Sequence, residues 1–159
     1  MEARRISESM TLLAQVMNPA DANPFGGVHG GAIMKLIDTA AGSAAVKHSR
    51  SMCATASIDR LDFHHPVFVG DLLTLKASVN YTGRTSMEVG VRVESQNLLT
   101  GEIRHTVSAY LTIVALGPDR KPVAVPPLIL ETPVQERRYN EAHARRQLRS
   151  RERSVEKSS

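Results

Sequence analysis

Between Gly31 and Val46 the chain carries only two charged residues, Lys35 and Asp38, and from Cys53 onward its apolar positions recur at every second residue. The first pattern predicts a helix from about His29 to His48 that is apolar almost all round, and a helix of that kind is expected to be buried. It is rich in small residues (Ala40, Ala41, Gly42, Ala44, Ala45), which let other backbones approach closely. The second pattern predicts strands. Asp71–Tyr81 places Leu73, Leu75, Ala77, Val79 and Tyr81 on one face and Thr74, Lys76, Ser78 and Asn80 on the other. Met87–Glu94 and Ile103–Ala115 alternate in the same way, Cys53–Phe63 does so irregularly, and Met10–Val16 does so weakly. Consecutive alternating strands joined by short turns imply an antiparallel sheet with one buried face. The single long helix is its natural cover, which makes the fold class α+β.

Turn signals separate these elements: Asn18–Gly27 ahead of the helix, then His64-His65-Pro66, Gly70-Asp71, Gly83–Ser86 and Thr100-Gly101. Gly117–Pro127 reads as an exposed loop. Thr132-Pro133-Val134-Gln135 has the cap, the first-turn proline and the glutamine of a helix start, so a charged helix of roughly four turns is expected there. Ser154–Ser159 reads as disordered. The organisation is therefore a domain over residues 1–131 followed by a charged helix and tail over 132–159.

Composition narrows this picture in three ways. Trp is absent and aromatics are 4% of the 159 residues, so Leu, Val, Ile, Met and Ala must build the core. Cys53 is the only cysteine, which excludes an internal disulfide and a cysteine-based zinc site. Neither a signal-peptide pattern nor a membrane-length apolar run is present, so a cytoplasmic location without membrane association is expected. The net charge of +4 resides in residues 136–157, which hold eight basic residues against four acidic ones; the remainder is neutral. That arginine-rich segment lacks interleaved aromatics apart from Tyr139 and has no reading motif, so it argues for a solvated or packed helix and against nucleic acid as a partner.

The candidate chemistry centres on Asp38. A carboxylate on an apolar helix is costly unless it is paired or used, and Asp is a poor interior helix former. A structural carboxylate bonded to a Ser or Thr is one reading; a general base or nucleophile is the other. Gly30 and Gly31 at the helix start expose backbone N–H groups where the helix dipole suits a developing oxyanion. Gly31 and Asp38 are seven residues apart, so they lie roughly 10 Å apart along the axis. One reacting carbon cannot meet both on the same helix, so a two-fold dimer is predicted, in which the glycine turn of one subunit faces Asp38 of the other. His29 lies about 180° away from Asp38 around an ideal helix, so the two are not a same-face pair. His64 and His65 point to opposite sides of an extended chain, and no metal site is expected.

The order of elements and three signatures resemble the hotdog-fold acyl-CoA thioesterases, in particular the group of bacterial short- and medium-chain and brain-type acyl-CoA hydrolases. The signatures are Asn23-x-x-Gly26-x-x-His29-Gly30-Gly31-x6-Asp38, Asp62-x-x-His65-Pro66-x3-Gly70-Asp71 and Gly83-Arg84-Thr85-Ser86. The resemblance spans residues 7–115 and omits the arginine-rich helix. It implies a hotdog fold, a long central helix wrapped by a curved antiparallel sheet of five or six strands, and homodimers with composite active sites that assemble as trimers of dimers. The implied reaction is hydrolysis of fatty acyl-CoA to free fatty acid and coenzyme A, with no cofactor beyond the coenzyme A of the substrate. In it Asp38 is the general base or nucleophile, Asn23 from the partner positions water or thioester, and Gly31 polarises the carbonyl. His29, Gly30, Ser57, Arg84, Thr85 and Ser86 are expected to bind substrate, the last three at the coenzyme A phosphates. A non-catalytic acyl-CoA-binding or regulatory module on the same fold is the alternative. A hotdog dehydratase would need a His–Asp pair, against which the placement of His29 and Asp38 argues.

Overall fold

The computed structural model describes all 159 residues. In chain order the elements are β1 (Arg4–Arg5), β2 (Thr11–Val16), α1 (Gly30–Ser49), β3 (Met52–Phe63), β4 (Leu72–Thr82), β5 (Ser86–Gln96), β6 (Ile103–Leu116), β7 (Leu128–Ile129) and α2 (Pro133–Ser158), with 3-10 turns at Ile6–Glu8 and Pro19–Asp21. Five strands form one antiparallel sheet in the order β2-β4-β5-β6-β3, and the two-residue strands β1 and β7 pair in parallel beside it.

The predicted alternation builds the core. Leu73, Leu75 and Val79 of β4, Val89 and Val93 of β5, and Leu111 and Ile113 of β6 are all buried on the face that holds α1. The helix answers with Ile33, Ile37, Ala40, Ala41, Ala44 and Ala45, also buried. The alanines allow the close approach the sequence implied, because they present no side chain beyond Cβ. His29 caps the start of α1, and Arg50, in the left-handed region at φ 57°, ends it. No helix is long and apolar enough to cross a membrane.

The structure departs from the sequence reading at three places. Helix α1 is not buried all round: Gly31, Met34, Lys35, Asp38 and Thr39 lie on an exposed face. Tyr81 does not share the core face of β4, because the register shift between Val79 and Tyr81 turns it to the outer side. There it stacks on His143 of α2, with ring centroids 5.4 Å apart, and meets Tyr139 at 4.8 Å. Finally, α2 is longer than expected and continues through Ser154–Ser158, the stretch read as disordered.

Helix α2 lies on the outer face of the sheet. Ala142 is fully buried there, and the Arg145 guanidinium sits 3.7 Å above the Tyr110 ring. Glu88 of β5, which alternation assigned to solvent, is 1% exposed beneath this helix. It accepts hydrogen bonds from Arg145 Nε at 3.1 Å, Arg145 Nη2 at 2.6 Å and Asn80 Nδ2 at 3.2 Å. Burial works against the Arg145 charge, but the bonds and field of Glu88 outweigh it and hold the guanidinium firmly protonated.

Candidate active site

The loop before α1 is organised by its own polar residues. Asn18 caps the turn Pro19–Asp21 and exchanges bonds with Asp21. Asn23 Oδ1 accepts from the Phe25 N–H at 2.9 Å and the Gly27 N–H at 3.2 Å, and the Asn23 N–H donates to the Gly27 carbonyl at 2.7 Å. Gly26, at φ 88°, takes the left-handed conformation this tight loop requires. The carbonyl end of the Asn23 amide therefore holds the loop, and Nδ2 is free to donate elsewhere. The loop, the start of α1 and residues 63–67 border an open cavity of about 350 Å³ lined by Asn23, Gly30, His64 and His65 among others.

At the helix start, His29 Nδ1 accepts from the Gly31 N–H at 3.0 Å. The Gly31 amide, expected as an oxyanion donor, is thus engaged by the cap. No hydrogen bond of the chain engages the Gly30 N–H, and Gly30 lines the cavity. The donor open to a ligand at this helix end is Gly30.

Asp38 lies one helix stretch away, on the open face of α1. Its Oδ1 accepts from Thr55 Oγ1 of β3 at 2.6 Å. The expectation of a carboxylate sealed among apolar neighbours is not met within the chain, where Asp38 is exposed. The face is open because β3 is the last strand of the sheet and nothing covers its far side.

Sequence reasoning leaves the partner of Asp38 open between Ser and Thr and does not single out Thr55, while Ser57, expected to bind substrate, lies on the other face of the same strand. The reason is a bulge. Thr55 pairs with Ile113, whose side chain is in the core, whereas Ser57 pairs with Thr112 on the outer face, with a register shift between them. Ala56 is the extra residue. It aims Thr55 at the helix and sends Ser57 to the opposite side of the sheet. Ser57 Oγ and Thr112 Oγ1 are both buried there without a hydrogen-bond partner. The irregular alternation of this strand was the one signal of the bulge.

The hairpin turn Gly83–Ser86 is held by backbone bonds: Gly83 N–H to the Ser86 carbonyl, Ala115 N–H to the Thr85 carbonyl and Val125 N–H to the Arg84 carbonyl. The Arg84 side chain is exposed. Ser86 pairs with Val114, which pairs with Ala54, so the turn stands level with Thr55, two strands along the sheet. The chain does not join it to Asp38 or to Asn23 by any hydrogen bond. His64 lies 5.2 Å from His105, ring to ring, and no three His, Cys, Asp or Glu side chains converge as metal ligands. A larger cavity of about 510 Å³, lined by Arg137, Arg138 and Arg145, lies between α2 and the outer face, across the sheet from Asp38.

Comparison with known proteins fits this arrangement. Residues 25–102 match the family model described as the thioesterase superfamily. Protein VdlD of Helicobacter pylori is 39% identical over 140 residues, covering 88% of this chain and 80% of that protein. A crystal structure described as an apo-hexameric acyl-CoA thioesterase superposes with a TM-score of 0.93 at 40% identity, covering 98% of this chain and 99% of that one. The acyl-CoA hydrolase of Staphylococcus aureus, in complex with butyryl coenzyme A, coenzyme A and coenzyme A disulfide, superposes with a TM-score of 0.90 at 33% identity, covering 98% and 95%. Variants of that staphylococcal enzyme with Asp, Asn or Thr changed to Ala superpose as well, at TM-scores of 0.91, 0.92 and 0.86.

Proposed function

The chain belongs to the thioesterase superfamily and, within it, to the acyl-CoA hydrolases, and from that membership we propose that it hydrolyses fatty acyl-CoA at sites shared between two copies. It is an acyl-CoA thioester hydrolase, as its relatives and structural neighbours are. The observation that carries the shared site is a separation. The free Gly30 N–H and the Asn23 amide border one cavity, while Asp38 waits on the open helix face with Thr55 on one oxygen. Gly30 and Asp38 are eight residues apart on one helix, about 12 Å along its axis. A two-fold partner closes that gap. The unpaired edge of β3, with Met52, Ile58 and Phe63 exposed, supports pairing there.

In this reading Asp38 Oδ2, the oxygen not held by Thr55, takes a proton from water as that water attacks the thioester carbon. The oxyanion forms against the partner's helix start, where the Gly30 N–H and the α1 dipole stabilise it. Asn23 Nδ2 of that partner positions the water or the thioester. The C–S bond then breaks, and the coenzyme A thiolate takes the proton from Asp38, leaving the free acid. The step uses water and the chain's own groups, with no cofactor. Arg84, Thr85 and Ser86 are proposed to meet the coenzyme A phosphates, and His29 to shape the entrance.

The staphylococcal variants support the choice of residues. Their substituted Asn, Asp and Thr are spaced along that chain as Asn23, Asp38 and Thr55 are along this one. The hexameric neighbour supports a trimer of dimers as the assembly.

Subunit mixing tests the shared site. Asn23→Ala and Asp38→Ala proteins, each with little activity, are unfolded together and refolded. If sites are composite, each mixed dimer holds one site with both defects and one with neither, so about a quarter of wild-type thiol release returns. No recovery from verified mixed dimers would defeat the composite site. Coenzyme A binding without thiol release by the wild type, over a panel of acyl-CoAs, would point to a binding module.

A further inference from the structure

We propose that Arg149 is a positioning residue for the Thr55–Asp38 pair: it pins the irregular edge strand β3 from the outer face, so that the bulge at Ala56 keeps Thr55 aimed at the helix. The proposal rests on the reading of Asp38 as the reactive carboxylate.

Strand β3 is the most irregular strand of the sheet. Within one chain it pairs only with β6, and its register shifts twice, between Thr55 and Ser57 and between Asp59 and Asp62. Arg60, within the second shift, sits at φ 39°, in the left-handed region that a residue with a side chain seldom adopts. Register decides function here. A slip of one residue would exchange the two faces of the strand and carry Thr55 away from Asp38.

The outer-face residues of β3 give little help from within the sheet. Ser57 Oγ finds no partner across the strand, and Asp62 bonds Arg60 of its own strand. Asp59, between the two shifts and next to the strained Arg60, is the exception. It accepts from Arg149 Nη1. The same nitrogen lies 3.5 Å from Glu88 Oε2, and the Arg149 side chain is only 14% exposed. Arg149 thus ties β3 to β5 across the intervening β6. Replacing an ion pair out of bulk water by apolar groups is often neutral for stability, so on this proposal what the pair supplies is a fixed arrangement.

Arg149 is separable from the docking of α2. Arg145 alone makes the two-pronged bond to Glu88, and Tyr139, Ala142 and His143 pack the same helix on the sheet. Removing Arg149 should leave α2 in place and remove the tie on the outer face of β3.

The test is a double-mutant cycle on thiol release. Arg149→Ala and, as an isosteric second variant, Asp59→Asn should each lower kcat by about 5- to 50-fold, as loss of precise placement does, with KM unchanged within about 2-fold. In a Thr55→Ala background the same changes should lower kcat by less than about 2-fold, because the group through which Arg149 acts is already gone. Arg153→Ala removes an equal charge from the exposed end of α2 and should match wild type. Full activity in Arg149→Ala and Asp59→Asn, or equal losses in both backgrounds, overturns the proposal. A Thr55→Ala protein as active as wild type would instead refute the reading of the site itself.

Discussion

Thr55 Oγ1 donates a 2.6 Å hydrogen bond to Asp38 Oδ1, joining the edge strand of the sheet to the open face of the central helix. The bond leaves one carboxylate oxygen for chemistry and fixes the direction in which it points. Asp38→Asn keeps the size and the bond to Thr55 but cannot accept a proton, so kcat should fall by about 10²- to 10⁴-fold, the range for loss of a general base. Thr55→Ala should cost about 10- to 100-fold, consistent with a lost hydrogen bond to a charged group, and Thr55→Ser should recover most of it. Steady-state thiol release measures all three. An Asp38→Asn enzyme with wild-type kcat would show that the carboxylate is structural.

The helix start makes a second, independent prediction. A methyl added at Gly30 would meet Phe63 Cζ at 3.7 Å, an ordinary contact, whereas one at Gly31 would lie 3.1 Å from His29 Nδ1 and crowd the cap. Gly30→Ala should therefore fold with nearly the wild-type Tm and yet lose at least about 10²-fold in kcat, as when an oxyanion donor is blocked. His29→Ala should show the reverse balance, losing about 1 kcal/mol of stability with the cap while keeping most of its turnover. Thermal melts and thiol release on the same samples separate the two. An unchanged kcat in Gly30→Ala would move the oxyanion site elsewhere.

These residues also show how far the sequence could be read. The core faces of β4, β5 and β6 followed from alternation, because each strand has one buried side and polar residues on the other. Asp38, Asn23 and the two glycines were visible as chemistry out of place or at a helix end. Thr55 was not, because a bulge reverses alternation from a single residue and no composition marks Ala56 as that residue. Tyr81 was misassigned for the same reason at Asn80. The burial of Glu88 depended on α2, which packs on the sheet through charged and aromatic side chains that resemble a solvated surface when read in sequence. Asp38 is exposed because it lies on the helix face beside β3, the last strand of the sheet, and which strand ends a sheet is not written in the alternation of any one strand.

The Glu88 cluster predicts large stability effects far from the chemistry. Glu88→Ala would leave Arg145 and Arg149 facing a buried gap, and breaking a buried pair from one side costs about 3–5 kcal/mol. Gly90→Ala should also destabilise, by about 1–3 kcal/mol, because its Cβ would come within 2.6 Å of Asn80 Nδ2 and dislodge the donor to Glu88. Urea unfolding measures both. If Glu88→Ala costs no more than Glu152→Ala, on the exposed end of α2, the cluster is not anchoring the helix.

Acid should loosen the fold through His48. This side chain is 1% exposed at the end of α1. Its Nε2 lies 2.7 Å from the Pro126 carbonyl, to which it donates, and Nδ1 is buried without a partner. Burial pushes the imidazole below its ordinary value of 6.5; the Pro126 bond opposes this, the Arg4 charge adds to it and Glu8 opposes it. A second proton would have to enter at Nδ1, where nothing accepts it. With the folded value lower than the unfolded one, the unfolded chain binds the proton first as pH falls. The stability due to neutral His48 is therefore complete above about pH 6.5, the unfolded value, and is lost as pH falls from there through the depressed folded value. His105 is lowered too, chiefly by burial, so some acid sensitivity should survive without His48. His48→Gln keeps a donor for Pro126 and does not titrate. Its Tm should change less between pH 7.5 and pH 5.5 than that of the wild type, whatever the two values at neutral pH, and equal slopes would clear His48 of the effect.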